Sequence, residues 1–126
     1  MKAPEYEPPR SVEELVIRYK SGERLFPGTD LSECDLSGVN LENTCFEKHS
    51  WFHSCNFTGS NLRGVNFRQC NLKCSCFDEA DLTNAIIELA TVEATSFTNS
   101  NTTNLQYVGA TVYGYELTEH DVFPPK

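Results

Sequence analysis

The sequence contains few long apolar segments, and this limits where the protein can act. Hydrophobic residues make up 39% of the chain, and no run approaches the ~18 apolar residues that a membrane span requires. Apart from Met1 and Ala3, the first nine residues are polar, charged or proline, so we expect no apolar core of a secretory leader. We therefore expect a cytoplasmic protein that does not bind a membrane.

Basic residues are scarce beyond the N-terminal region. Residues 1–28 contain five basic and five acidic side chains, whereas residues 29–126 contain five basic and thirteen acidic ones, which gives the net charge of −8. Affinity for nucleic acids depends largely on contacts between Lys or Arg and phosphate. We therefore expect no direct binding of nucleic acid. The acidic excess favours solubility but also leaves open mimicry of DNA.

Motifs for catalysis and metal binding are also missing. The sequence has no G-x-S-x-G segment, no glycine-rich phosphate loop and no C-x2-C pair. These absences disfavour an enzyme, and we expect no cofactor.

A large apolar residue recurs every five positions, with one extra residue after the fourth. A period of five is neither the 3.6 of a helix nor the 2 of a strand, so it predicts a solenoid. A small residue stands two positions before each large one, and both are expected to point inward. The large residues, which form the predicted core, are Leu31, Leu36, Leu41, Phe46, Phe52, Phe57, Leu62, Phe67, Leu72, Phe77, Leu82, Ile87, Val92 and Phe97.

The apolar residues sort by type when four repeats make one coil of twenty residues. The aromatic residues Phe57, Phe77 and Phe97 then stack on one face. With this period the coils are 24–43, 44–64 with the extra residue, 65–84, 85–104, and a weaker fifth at 105–124. We expect about four and a half to five coils in a domain of residues 24–124.

Residues 1–23 are predicted to precede the solenoid as a flexible tail and a short helix. Residues 1–10 are rich in proline and charge. Ser11 and Glu14 form a capping box, and the apolar stripe of residues 12–21 indicates an amphipathic helix. Such a helix must bury its stripe, so we expect it to cover the first coil.

Two segments carry a resemblance to a known family. Residues 80–84 (Ala-Asp-Leu-Thr-Asn) and 60–64 (Ser-Asn-Leu-Arg-Gly) resemble the A-(D/N)-L-x-x unit of pentapeptide repeat proteins. The resemblance implies an all-β solenoid, the right-handed quadrilateral parallel β-helix called the repeat-five-residue (Rfr) fold, with a short N-terminal capping α-helix. The chain is similar to small cyanobacterial members, most of which have no assigned activity. A few larger members bind type II topoisomerases as DNA mimics.

The register leaves little support for a metal site. Cys34, Cys55 and Cys70 occupy the small inward positions, where free cysteine acts as a small hydrophobe. Cys45 and His53 fall on different faces, so they cannot converge with His49 on one ion as zinc requires. We expect no metal and no disulfide bond.

Because the interior is filled, any function must use outward residues. His49, Trp51 and His53 lie where the extra residue interrupts the repeat, and tryptophan is enriched in binding hot spots. Ile86 and Leu89 also point outward. We therefore expect a non-catalytic scaffold that binds an unidentified protein through His49, Trp51 and His53. Trp51 could instead pack under the proline-rich tail.

The alternative function is an acidic DNA mimic that modulates a type II topoisomerase; a metal-binding protein or an enzyme is less favoured. A predicted basic belt of Lys48, Arg63, Arg68 and Lys73 counts against the mimic. At the other end, aromatic residues and Pro124-Pro125 are expected to blunt the last coil, or that end is shared in a weak end-to-end dimer. The protein is therefore expected to be a monomer or a weak dimer.

Overall fold

The computed structural model describes residues 5–125 and begins with a short helix. This helix, α1, spans Val12–Lys20. Ser11 precedes it in an extended conformation, and its Oγ accepts a hydrogen bond from the Glu14 amide at 3.0 Å. Gly22 follows with a φ of 106°, a conformation that glycine adopts without steric cost. Residues 1–4 of the predicted tail lie outside the described residues.

The body of the molecule is a column of stacked coils held by parallel pairing. Within the described residues, fourteen isolated parallel bridges run from Leu25–Cys45 to Thr91–Thr111. Bridged residues are twenty apart, or twenty-one where the pairing spans the extra residue. Backbone hydrogen bonds link each coil to the next, as from Phe57 N to Cys76 O at 2.7 Å. The structure is therefore a β-helix with four five-residue sides in each coil.

A tight turn joins each side to the next. After a buried central residue such as Phe77, the chain turns and the amide of Ala80 donates to the Phe77 carbonyl at 3.0 Å. The third residue of these turns has a positive φ, as in type II turns. Most of these positions are not glycine; they include Leu89 at 58° and Ala94 at 53°. L-residues in this conformation cost roughly 1–2 kcal/mol each, which the packing of the coils must offset.

The core follows the five-residue spacing. All fourteen large residues of the repeat are buried, with Phe97 the most accessible at 9%. The Phe57 and Phe77 rings stack 4.9 Å apart at 3°, and the Phe77 and Phe97 rings stack 5.3 Å apart at 6°. Leu15 of α1 is fully buried in the same cluster. The core therefore extends from the helix along the length of the column.

The predicted fifth coil at 105–124 is not formed as such. Parallel pairing ends at Thr111, and the chain reverses in a hairpin of β1 (Thr111–Val112) and β2 (Tyr115–Glu116). Tyr113 and Gly114 have φ values of 50° and 80°, and two positive φ values are what a two-residue type I′ turn requires. The column therefore stops short of the predicted boundary at residue 124.

Aromatic packing closes this end of the column. The Phe123 ring lies 4.8 Å from the Phe97 ring and 5.3 Å from the Tyr107 ring. The Tyr107 hydroxyl donates to the Asp121 carbonyl at 2.5 Å. The segment after the hairpin thus folds back over the last coil.

Candidate functional site

The extra residue of the second coil creates a bulge at residues 47–49. Behind it Ser50 is buried, and its hydroxyl donates to the Phe46 carbonyl at 2.7 Å and accepts from the Thr29 amide at 3.0 Å. His49 is exposed at the end of the bulge, with a φ of 64°. The chain returns to the regular repeat at Trp51.

Trp51 is held firmly but remains accessible. Its backbone pairs with Asp30 in one neighbouring coil and with Asn71 in the other. Its side chain is 47% exposed, and its ring lies 6.3 Å from that of His53 at 27°. This exposure disfavours the alternative in which the proline-rich tail covers Trp51.

A shallow groove of about 300 Å³ lies beside the Trp51 side chain. We call it the Trp51 groove, and it is lined by His49, Ser50, Trp51, Gln69, Cys70, Asn71, Leu89 and Thr91. The structure thus brings His49 and Trp51 together in one groove. His53 stacks beside Trp51 but is not among the lining residues.

Gln69 and Asn71 also line this site, although their sequence positions did not predict it. They enter because stacking places them between Trp51 and Leu89, one coil from each. Leu89 is 45% exposed at a turn position. Its side chain lies close over Gly109, because a Cβ added to that glycine would be 2.6 Å from Leu89 Cδ2. The period of twenty was the signal that could have found Gln69 and Asn71.

The basic belt predicted from the sequence is largely neutralised. Arg63 lies 3.5 Å from Asp81, and Lys73 lies 3.6 Å from Glu93. Arg68 contacts Glu47 at 3.0 Å, and it also contacts Glu88. Because these pairs are partly exposed, each contributes little to stability, but together they remove most of the expected positive surface. The groove itself is lined by side chains without formal charge, apart from His49 when it is protonated.

The cysteines are buried or scattered. All six thiols are free. Burial raises the pKa of the Cys55 thiol to about 11 and that of the Cys70 thiol to about 12. Cys34 is half-buried, and burial followed by the nearby Asp30 raises its pKa. These environments hold the thiols in the protonated form, which is the weak nucleophile.

The described part of the chain offers no metal centre. Within residues 5–125 no three His, Cys, Asp or Glu side chains are grouped so that they could hold an ion. None of the helices described there is long and apolar enough to cross a membrane.

A column of Asn and Asp side chains on another face has a structural role. Asn40, Asn61, Asp81 and Asn101 stack through consecutive bridges. Each Oδ1 accepts a hydrogen bond from the backbone amide two residues later, at 3.0–3.2 Å. These contacts are Asx turns, and they satisfy amides where the chain leaves each bridge.

The repeat geometry agrees with a family model. Residues 29–117, which is more than half of the chain, match the model described as the pentapeptide repeat region. The chain belongs to the pentapeptide repeat family. No curated protein shows significant similarity to this pentapeptide repeat protein.

Solved structures of pentapeptide repeat proteins resemble the column. Rfr23 from the cyanobacterium Cyanothece 51142 is 12% identical with a TM-score of 0.51, and the match covers 81% of this chain and 99% of that one. The protein alr5209 from Nostoc PCC 7120 is 20% identical with a TM-score of 0.32, and the match covers 80% of this chain and 99% of that one. A trypsin-treated form of QnrB1, a plasmid-mediated fluoroquinolone resistance protein, is 14% identical with a TM-score of 0.41. This match covers 82% of this chain and 79% of that one. At such low identity the similarity to Rfr23 concerns the fold alone.

Proposed function

We propose that this pentapeptide repeat protein is a non-catalytic cytoplasmic scaffold that binds another protein through the Trp51 groove. The observation that supports this most is the 47% exposure of Trp51 on a backbone held by bridges on both sides. Tryptophan contributes a large contact area and is enriched among the residues that dominate binding energy. A rigid platform loses little conformational entropy on binding.

The composition of the groove suits a protein surface. Trp51 and Leu89 provide exposed apolar area, while Gln69, Asn71 and His49 provide polar groups around it. This combination resembles the apolar centre and polar rim of a protein–protein interface. The shallow shape is less suited to enclosing a small molecule, because such sites usually bury most of the ligand.

The chemistry available in the groove supports a non-catalytic role. Cys70 is the one thiol among the lining residues, and it is buried with a pKa raised to about 12. A thiol in that environment is a poor nucleophile at neutral pH. The remaining lining side chains are His49 and uncharged groups, which bind but do not by themselves form a nucleophile–base pair.

We further propose that the column is right-handed and that α1 caps its first coil. Crossover connections between parallel strands are almost always right-handed. The Tyr19 hydroxyl donates to the Glu42 carbonyl at 2.9 Å, and the Arg18 guanidinium lies 5.3 Å from the centre of the Phe26 ring. These contacts support a helix that shields the open end of the core.

The binding proposal can be tested by affinity capture from cells that express the protein naturally. The wild type is compared with the Trp51→Ala, His53→Ala double variant and with Arg63→Ala, an exposed substitution on the opposite side of the column. We expect the wild type and Arg63→Ala to retain the same partner and the double variant to lose it. If the wild type retains no protein, or all three retain the same proteins equally, the proposal is wrong.

A further inference from the structure

Exposed apolar side chains concentrate at the C-terminal end of the column. Val108 is 48% exposed, Tyr113 74%, Tyr115 56% and Val122 74%. A cleft of about 510 Å³, which we call the end cleft, opens beside the hairpin. It is lined by Val112, Tyr115, Leu117, Asp121, Val122 and Pro125.

The hairpin also presents an open strand edge next to this cleft. Thr111 directs its backbone groups toward the fourth coil, because its amide donates to Ala90 O at 2.9 Å and its carbonyl accepts from the Val92 amide at 3.0 Å. Thr111 and Glu116 are opposed in the antiparallel pair. When one residue of such a pair points its peptide groups away from the partner strand, so does the other. The N–H and C=O of Glu116 therefore face the outer edge of β2.

Acidic groups surround this edge. Glu116 and Glu119 are exposed. The Asp121 carboxylate accepts hydrogen bonds from the Thr118 amide at 2.7 Å and from the Tyr115 hydroxyl at 3.2 Å. The edge thus combines unpaired backbone groups, an apolar cleft and negative charge.

We propose that the outer edge of β2 docks an extended segment of another protein in which apolar and basic side chains alternate. The backbone of that segment pairs with Glu116, in the manner of strand addition to an exposed sheet edge. Because successive side chains of a strand point to opposite faces, the apolar ones enter the end cleft beside Tyr115 and Val122. The basic ones lie against Glu116 and Glu119.

The charge disfavours a second copy of this chain as the occupant. Antiparallel pairing of two β2 edges about a two-fold axis would bring the Glu116 side chains of both copies close together. Like charges across a strand pair are destabilising. A basic segment from a different protein fits the same edge without this repulsion.

The test uses an eight-residue peptide of alternating valine and lysine, labelled with fluorescein and titrated with the full chain by fluorescence anisotropy. Three control peptides replace lysine by glutamate, replace valine by serine, or N-methylate the backbone amides without changing the side chains. We expect each control to bind at least tenfold more weakly than the valine–lysine peptide. Equal binding of the N-methylated peptide would show that strand pairing is not used, and equal binding of either other control would remove the proposed selectivity.

Variants of the protein locate the site. Glu116→Lys and Val122→Ser change exposed side chains and should each weaken binding of the valine–lysine peptide about tenfold, with unchanged circular dichroism. Trp51→Ala lies outside the end cleft and should bind the peptide like the wild type, whatever its effect on the Trp51 groove. If Trp51→Ala abolishes binding while Val122→Ser does not, the peptide site is elsewhere and the proposal fails. A dimer in sedimentation analysis that Val122→Ser dissociates would also overturn it, because the occupant would then be a second copy.

Discussion

Phe77 illustrates how much a single side chain contributes to the column. Its ring is stacked between Phe57 and Phe97 and is 1% exposed. Phe77→Ala should lower the free energy of unfolding by about 3–5 kcal/mol, since it removes apolar contacts and leaves a cavity that two flat rings cannot fill. Urea denaturation followed by circular dichroism measures this loss.

Thr83 provides the control for that substitution. It is half-buried on the outside of the column, and its hydroxyl donates to Asp81 Oδ1. Thr83→Ala should cost no more than about 1 kcal/mol, because it removes one net hydrogen bond at a partly hydrated site. Similar losses for the two variants would contradict the assigned inward and outward positions.

Burial should also separate the cysteines by reactivity. Cys55 and Cys70 are buried with raised pKa values, whereas Cys74 is exposed. In native protein we expect iodoacetamide to modify Cys74 rapidly and to leave Cys55 and Cys70 unmodified until the chain is denatured. Peptide mass spectrometry after timed quenching measures this order. Modification of Cys70 as fast as Cys74 would contradict its buried placement.

The same two thiols predict a dependence of stability on alkaline pH. In the folded state the pKa values of Cys55 and Cys70 are about 11 and about 12, against an ordinary value of 9.0. Above pH 9 the unfolded chain therefore binds fewer protons than the folded one, so the free energy of unfolding should fall as pH rises from about 9 toward 11. Urea titrations at several pH values should show a shallower decline in a Cys55→Ala, Cys70→Ala variant. An equal decline in both proteins would assign the effect to other groups.

At the scale of the element, the turns store conformational strain that the sequence could relieve. Ala94 has a φ of 53° at a turn, where glycine avoids the steric cost of Cβ. Ala94→Gly should stabilise the protein by up to about 1 kcal/mol, because this relief exceeds the entropy that glycine adds to the unfolded chain. Thermal denaturation monitored by circular dichroism would detect a higher Tm.

Ala90→Gly is the matched comparison. Ala90 is fully buried at an inward position and its φ is not positive, so the change removes a packed methyl group with no relief of strain. We expect it to lower the Tm. Stabilisation by both substitutions would show that turn strain is not the cause.

The repeating sides were predictable from the sequence because each side contains its own signal. The five residues of one repeat are enough to explain why Leu82 is buried and why Asp81 lies at a bridge. The C-terminal hairpin was not predicted, since Val112 and Leu117 continue the five-residue spacing past the last coil. What ends the column is the Tyr113-Gly114 pair, whose two positive φ values reverse the chain. Whether the chain reverses at this point depends on the local backbone conformation, and the spacing of apolar residues does not indicate that conformation.

The Trp51 groove was predictable in part for a similar reason. The extra residue drew attention to His49 and Trp51 because it breaks the repeat along the sequence. Gln69 and Asn71 lie in ordinary repeats, and they join the site through stacking between coils. Such neighbours become visible when the coil period is applied to every outward position.

At the scale of the whole molecule, charge bears on the DNA-mimic alternative. Three of the four basic residues of the predicted belt form ion pairs with acidic residues of adjacent coils. Arg63 and Lys73 each pair with the following coil, and Arg68 pairs with the coils on both sides. These pairs divide the acidic surface, whereas a mimic of duplex DNA requires a continuous series of negative groups. We therefore expect no inhibition or protection of DNA gyrase in a supercoiling assay at micromolar protein. Clear inhibition that is lost when acidic residues are replaced would favour the mimic.

The direction of the hydrogen bonds between coils has a mechanical consequence. These bonds run along the column axis, so a force that pulls the two ends apart along this axis loads the bonds of one coil at a time and does not shear many together. Each coil that detaches frees about twenty residues, or roughly 70 Å of extended chain. Since each coil contacts only its neighbours, the column should unravel from an end in regular steps at low force. We expect the column to resist compression and to peel open readily under tension.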